Sequence, residues 1–368
     1  MSVSTVESGI AVERVTVSGC TIPTDRHESD GTLEWDSTTI VLVEVSAAGT
    51  VGLGYTYADV AAATLVDSKL AEVVAGRDPM AVEAAWAAMV RAVRNVGRPG
   101  IAATAISAVD TALWDLKARL LDVPLATLLG RFRDDVPVYG SGGFTSYSID
   151  ELQTQLAGWV RQGIHSVKMK VGREPRADAA RVAAAREAIG DAELMVDANG
   201  AYERKQALAE AEQFAEHRVS WFEEPVSSDD LEGLRLLRDR APAGMAIAAG
   251  EYGYDIFYFR RMLEAGAVDV LQADVTRCEG ITGLLRVGAL CQAWGIPFSA
   301  HTAPAIHAHA CCAIESLAHC EYFHDHVRIE HLLFDGVIEP VGGCLVPDLD
   351  RSGLGLELKR ADAEKYAV

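Results

Sequence analysis

The chemistry in this chain is carried by a series of ionisable residues whose types belong together. In order they are Lys168-Met169-Lys170, Asp197-Ala198-Asn199-Gly200, Glu223-Glu224-Pro225, Gly250-Glu251, Asp274, His301 and Glu321. Three carboxylates brought close, Asp197, Glu223 and Glu251, repel one another unless a cation lies between them. An all-oxygen donor set with room for water and substrate suits Mg2+, with Mn2+ as a substitute, rather than zinc. Lys168 and Lys170 are two residues apart and so face the same side of a strand. Beside each other and a divalent cation, the neutral amine is favoured, which is what a general base needs. Asp274 and His301 make a second acid/base unit, because a carboxylate accepting from one ring nitrogen fixes the tautomer and raises the basicity of the other. Glu321, kept protonated by burial, would donate a hydrogen bond to a developing oxyanion. Asn199 shares a face with Asp197 and is placed to orient a ligand or substrate, whereas Glu224 points the opposite way from Glu223 and supports from behind.

Taken singly, these residues have plainer explanations. A lone Asp or Glu usually pairs with a surface cation, and Lys-x-Lys usually snorkels from a strand end. His307, His309, His319, His324 and His326 are read as structural. The argument for chemistry rests on where the series falls. From Val136 onward, β-rich runs recur at 136–139, 166–170, 194–197, 220–223, 245–249, 268–273, 297–300 and 320–323. Segments with helical patterning separate them, such as 150–161, 178–189 and 282–294. Strand-helix alternation implies a parallel sheet, and eight units close as a barrel. No helix of the same kind is evident after the last run, so the expected fold is α/β, a (β/α)7β modified TIM barrel over 135–338. The ionisable series then sits at the carboxyl ends of successive strands, where barrel active sites lie. An open doubly wound sheet would need a phosphate loop after its first strand, and Gly140-Ser141-Gly142-Gly143 lacks that spacing. The first 134 residues read as an α+β domain: a strand at 40–45, a turn at Ala48-Gly49, a second strand at 51–55, and helices near 81–94 and 101–121. The loop-rich tail, 339–368, is expected to pack back on that domain.

Composition narrows the functional classes. The 368 residues, 49% hydrophobic and 23% charged, describe a globular chain large enough to bury its core without staples. A net charge of −20 argues against nucleic acid and against an anionic membrane surface. Seven scattered cysteines with no CxxC pair suggest reduced thiols and a cytoplasmic setting. Met1 to Gly9 lacks a signal-peptide pattern. A barrel metallohydrolase would need His-x-His on the first strand, which 136–143 lacks. A Schiff-base enzyme would use Lys170 as nucleophile but leave the three carboxylates unexplained. A catalytically inert scaffold would not be expected to keep a competent residue at every position.

The ordered set Lys168-x-Lys170, Asp197-x-Asn199, Glu223-Glu224-Pro225, Gly250-Glu251, Asp274 with His301, and Glu321 resembles the mandelate racemase subgroup of the enolase superfamily. The resemblance runs from about residue 10 to the C-terminus. It implies Mg2+ on Asp197, Glu223 and Glu251, with Lys170 and the His301–Asp274 pair as acid/base groups on opposite faces of the substrate. It also implies that Lys168 holds the substrate carboxylate and that Glu321 helps stabilise an enediolate. The substrate would be a small carboxylate, foremost an acid sugar undergoing dehydration, with racemisation or epimerisation of a 2-hydroxy acid or lactone cycloisomerisation as alternatives. A capping loop at about Ile22 to Trp35, with Arg26, His27 and Trp35, and a second loop near Gly54 to Tyr57, with Tyr55, would select it. Relatives are usually homo-oligomers, often octamers. Where relatives often have Gly-Gly, this chain has Glu279-Gly280, expected to alter the substrate pocket.

Overall fold

The computed structural model describes residues 9–368. The expectation about the N-terminus, Met1 to Gly9, therefore falls almost wholly outside the described residues. The chain opens with an antiparallel sheet of three strands, β1 (Arg14–Ser29), β2 (Glu34–Ala47) and β3 (Thr50–Tyr57). Ala48 and Gly49, both at positive φ, form the two-residue turn between β2 and β3, as their sequence suggested. Helices Val82–Ala92 and Ile101–Leu120 follow, the second packed along β3 and β2. Asp78-Pro79 lies just ahead of the first of these rather than capping it: Asp78 accepts from Met80 N–H at 2.9 Å, and the helix begins four residues later.

Eight parallel strands then close on themselves: β4 (Val136–Gly142), β5 (Ser166–Lys170), β6 (Glu193–Asp197), β7 (Val219–Glu223), β8 (Ala246–Ala249), β9 (Val270–Ala273), β10 (Phe298–Ala300) and β11 (Leu317–Phe323). The last pairs with the first through Glu321 opposite Tyr139. All eight correspond to the runs read from the sequence. Inside the barrel, Tyr139, Met195, Trp221, Ala248 and Val270 form a small apolar plug separate from the main core. Met195 and Trp221 stand two residues before Asp197 and Glu223, so the pleat places a layer of charge directly above this plug. Register aligns that upper layer, with Lys170 opposite Asp197 and Asp197 opposite Glu223.

A helix unlike its predecessors follows β11. His324–Leu333 is bound to the N-terminal sheet: Asp325 accepts from Thr38, and Glu330 accepts from Tyr55. The tail also contacts the first domain, with Leu354 N–H on Asp115 at 2.6 Å and Val368 N–H on Gly19 O at 3.1 Å. Among the described residues no helix is long and apolar enough to cross a membrane. The seven cysteines are all free, and six are buried.

The expected capping loop at Ile22 to Trp35 is instead a hairpin of β1 and β2, irregular between Pro23 and Glu28, with only residues 30–33 as its tip. Asp30 holds the tip by accepting from Thr32 and Leu33 N–H at 2.6 and 2.7 Å. Gly31 brings it onto the barrel rim so closely that a Cβ there would meet Ala198 O at 2.2 Å and Val171 O at 2.7 Å. Thr145 and Ser146 fasten the hairpin from the side, on Ser29 O, Asp30 O and His27 O. Gly31→Ala is expected to lift the tip. Amide hydrogen exchange should then speed up over residues 28–35 while the barrel strands keep their protection; unchanged exchange in the hairpin would show that the close approach is not required.

Candidate active site

Seven successive strands deliver the charged side chains, and the strand order arranges them around the barrel mouth. Lys168 and Lys170 come from β5, Asp197 from β6, Glu223 from β7, Glu251 from just beyond β8, Asp274 from just beyond β9, His301 from just beyond β10 and Glu321 from β11. All eight are buried. Gly250 makes the turn that presents Glu251: its φ is +138°, and a Cβ there would lie 2.0 Å from Gln272 O.

The structure brings Asp197, Glu223 and Glu251 together, with one carboxylate oxygen from each lying within 4.8 Å of the others. Burial and the Asp197 charge push the Glu223 carboxyl up to about 8. A proton on Glu223 is thus one way to relieve the crowding, and a divalent cation is the other. Glu251 Oε2 is buried, and its near neighbour is the His301 ring nitrogen at 3.2 Å. Three hard oxygen donors from three carboxylates this close fit a magnesium-sized ion.

The cations are locked to these acids. Lys168 Nζ pairs with Glu223, lies 2.9 Å from Glu321 Oε1 and 3.5 Å from Asp197, and sits 5.2 Å from the centre of the Tyr139 ring. Burial disfavours its charge, but Glu223 and Glu321 outweigh that and hold it protonated. Lys170 pairs with Asp197, which likewise outweighs burial and raises its pKa. Without a metal ion, then, neither lysine is shifted towards the neutral amine expected from the sequence. The same correction applies to Glu321. Burial alone would protonate it, but Lys168 and His301 pull its carboxyl down to about 2, so it is a carboxylate here rather than a donor.

His301 Nδ1 lies 2.9 Å from Asp274 Oδ2, and Nε2 lies 3.2 Å from Glu251 Oε2 and 3.5 Å from Glu321 Oε2. Burial opposes the imidazolium, but Glu251 and Glu321 outweigh it and lift its pKa to about 10. Asp274 is fixed by Thr276, whose N–H and hydroxyl both donate to Oδ1 at 2.7 Å.

Above this layer lies a cavity of about 570 Å³ between the barrel mouth and the hairpin. Lys170, Asn199, Glu251 and His301 line it from below, and Trp35 from above. The Asn199 carboxamide oxygen is buried without a partner. Lys168, Asp197, Glu223, Asp274 and Glu321 stand behind the lining. Glu224 lines a neighbouring cavity with Tyr252 and Tyr258, its carboxyl pushed well up by burial and by Glu251.

Three expectations about the pocket do not hold. Arg26 points outward and pairs with Glu151 at the surface. Tyr55 is wholly buried, bonded to Glu330 and stacked on Phe334; Tyr57, two residues on at the strand end, reaches the cavity instead. Glu279 does not line the cavity. It takes a left-handed φ of 68° and pairs with Arg98 of the N-terminal domain. Arg277 and His326 are among the lining residues that sequence reasoning passed over. Arg277 lies 3.5 Å from both Glu251 and Asp274, and its position three residues after Asp274 was an available signal. His326 stacks on Tyr57 with ring centres 3.4 Å apart, and nothing local distinguished it from the structural histidines.

Comparisons with known proteins agree with the fold. Residues 24–130 match the mandelate racemase / muconate lactonizing enzyme N-terminal domain, and residues 151–363 match the enolase C-terminal domain-like family. The chain belongs to the mandelate racemase/muconate lactonizing enzyme family of the enolase superfamily. A solved structure of a mandelate racemase/muconate lactonizing enzyme-like protein from Rubrobacter xylanophilus is 63% identical, with a TM-score of 0.96, covering 97% of this chain and 100% of that one. The 3,6-anhydro-alpha-L-galactonate cycloisomerase of Streptomyces coelicolor is 33% identical over 95% of this chain and 98% of its own length. The L-talarate/galactarate dehydratase of Salmonella typhimurium LT2, solved with Mg and L-lyxarohydroxamate, is 28% identical with a TM-score of 0.90, covering 100% of this chain and 95% of that one.

Two measurements test the site. Magnesium at a hundred times its Kd is expected to stabilise the fold by about 2.7 kcal/mol. Glu251→Gln should lose most of that rise in melting temperature, and an equal rise in the variant would exclude Glu251 as a ligand. Glu330, by contrast, has a pKa raised by burial to about 8. The folded chain therefore keeps a proton that the unfolded chain releases above the ordinary 4.5, so this contribution to stability is present below 4.5 and lost as the pH rises to about 8. The stability difference between wild type and Glu330→Gln should shift in favour of the variant across that window. A pH-independent difference in denaturant midpoints would show that Glu330 ionises normally.

Proposed function

We propose that this protein is a magnesium-dependent enzyme that removes the proton α to the carboxylate of an acid sugar, most simply as a dehydratase forming a 2-keto-3-deoxy acid. The observation that carries this reading is the order around the barrel mouth: the three-carboxylate cluster is flanked by Lys170 on one side and by His301 with Asp274 on the other. The dehydratase and cycloisomerase relatives support the same chemistry.

An α-proton is weakly acidic because its removal places a second negative charge on the carboxylate oxygens. Asp197, Glu223 and Glu251 would hold the metal. Bound there, magnesium would supply positive charge that stabilises the dianion and favours the neutral form of Lys170. Lys170 Nζ then accepts the proton on one face. His301 Nε2, its ring fixed by Asp274, holds a proton on the other face and delivers it to a departing β-hydroxyl. Lys168 keeps Glu223 and Glu321 in place and adds fixed positive charge beneath the reacting carboxylate. Asn199 orients the substrate, and the hairpin tip and Trp35 exclude water. The same opposed pair would invert a centre in a substrate with no leaving group, so racemisation or epimerisation shares this geometry, and the product separates the readings.

In heavy water with a turned-over acid sugar, Lys170→Ala is expected to lose α-proton exchange and product together, by about 10^3-fold or more. His301→Asn should lose the 2-keto product while keeping exchange, if Lys170 acts first. Full activity in both variants would refute the assignment.

A further inference from the structure

The cavity has a floor and a roof of opposite character. Its floor carries three cations, and all are already matched: Lys170 by Asp197, Arg277 by Asp274 and Glu251, and His301 by Asp274 and Glu251. Its roof is built by residues 30–59 and carries the carboxylates Asp30, Glu34 and Asp59. Among the described residues, no lysine, arginine or histidine of that segment lines the cavity. Arg26 is turned away onto Glu151. Exposed His27 lies 3.7 Å from Glu34, outside the lining. Arg173 is held 2.7 Å from Glu34, also outside it. His326, the remaining basic group of the upper lining, is pushed down to about 3 by burial and stacks on Tyr57 as a neutral ring.

We infer that the substrate is a sugar acid with a single carboxylate, whose far end is a neutral hydroxylated carbon, and that the acidic roof excludes dicarboxylates. This rests on the reading that one carboxylate binds at the metal cluster. A second carboxylate, carried on the extended sugar chain, would meet Asp30, Glu34 and Asp59 with no unpaired cation lining the cavity beside them, Arg173 being already held by Glu34 outside it, and such like-charge contacts are unfavourable in a half-closed cavity. Sugar hydroxyls, by contrast, donate to carboxylates in charge-assisted hydrogen bonds. The roof therefore fits the donors that a polyol end offers and opposes the charge of an acid end.

The test uses matched six-carbon pairs, each an aldonate and the aldarate of the same stereochemistry. Calorimetric binding to the full, magnesium-loaded chain is measured alongside α-proton exchange and 2-keto acid formation. The aldonate of the best pair is expected to bind and turn over at least about 100-fold better than its aldarate. Ser37→Arg, which places a cation on the roof, should narrow that gap by about tenfold. Asp59→Asn should narrow it too, while its amide oxygen can still accept from Ala61 N–H as Asp59 Oδ1 does at 2.8 Å. An aldarate that binds as well as its aldonate, or better, overturns the inference whether or not chemistry follows. An aldonate that binds selectively but keeps its α-proton leaves the inference standing and overturns the catalytic reading. Binding of neither overturns both.

Discussion

The structure depends on keeping five carboxylates, Asp197, Glu223, Glu251, Asp274 and Glu321, in a nearly dry barrel mouth. Carboxylates so crowded cannot all stay charged without cations among them. Lys168 and Lys170 serve one side of the ring and His301 and Arg277 the other, with the metal cluster lying between them. The apolar plug beneath keeps the layer from being hydrated from below, although Trp221 Nε1 still donates to Glu223 Oε2 at 2.9 Å. Each charged group is thus held by its neighbours, which gives the site fixed charge before any ligand arrives.

Much of this was legible in the sequence because two simple periodicities carried it. Alternation along a strand puts Lys168 and Lys170 on one face, and it puts Met195 and Trp221 directly beneath Asp197 and Glu223. Strand-helix repetition then lines up the carboxyl ends, so the ionisable series marks a single rim. The barrel and the cluster of acids follow from these rules without any long-range information.

What was not legible depended on local irregularity and on contacts distant in sequence. The break in register between Pro23 and Glu28 turns Arg26 outward, and no spacing rule foresees it. Tyr55 and Tyr57 share a parity, so alternation could not say which was capped by Glu330, a partner 275 residues away. Charge states were also misjudged. Burial alone suggested a neutral Glu321, yet the lysine at 2.9 Å decides the matter. The departure at Glu279 looked like a pocket change but became a tie to Arg98, because its side chain leaves a left-handed backbone in the other direction.

Apart from His326, the roof of the cavity comes from one continuous stretch, residues 30–59, while the floor is gathered from strand ends spread over more than a hundred residues. The two halves of the site are therefore encoded differently. A single short exchange of coding sequence could replace the surface that meets the far end of the substrate and leave the acid/base machinery intact. The reverse would need many separate changes in concert. In this architecture, recombination can redirect an old chemistry to a new molecule far more readily than it can install a new chemistry over an old pocket.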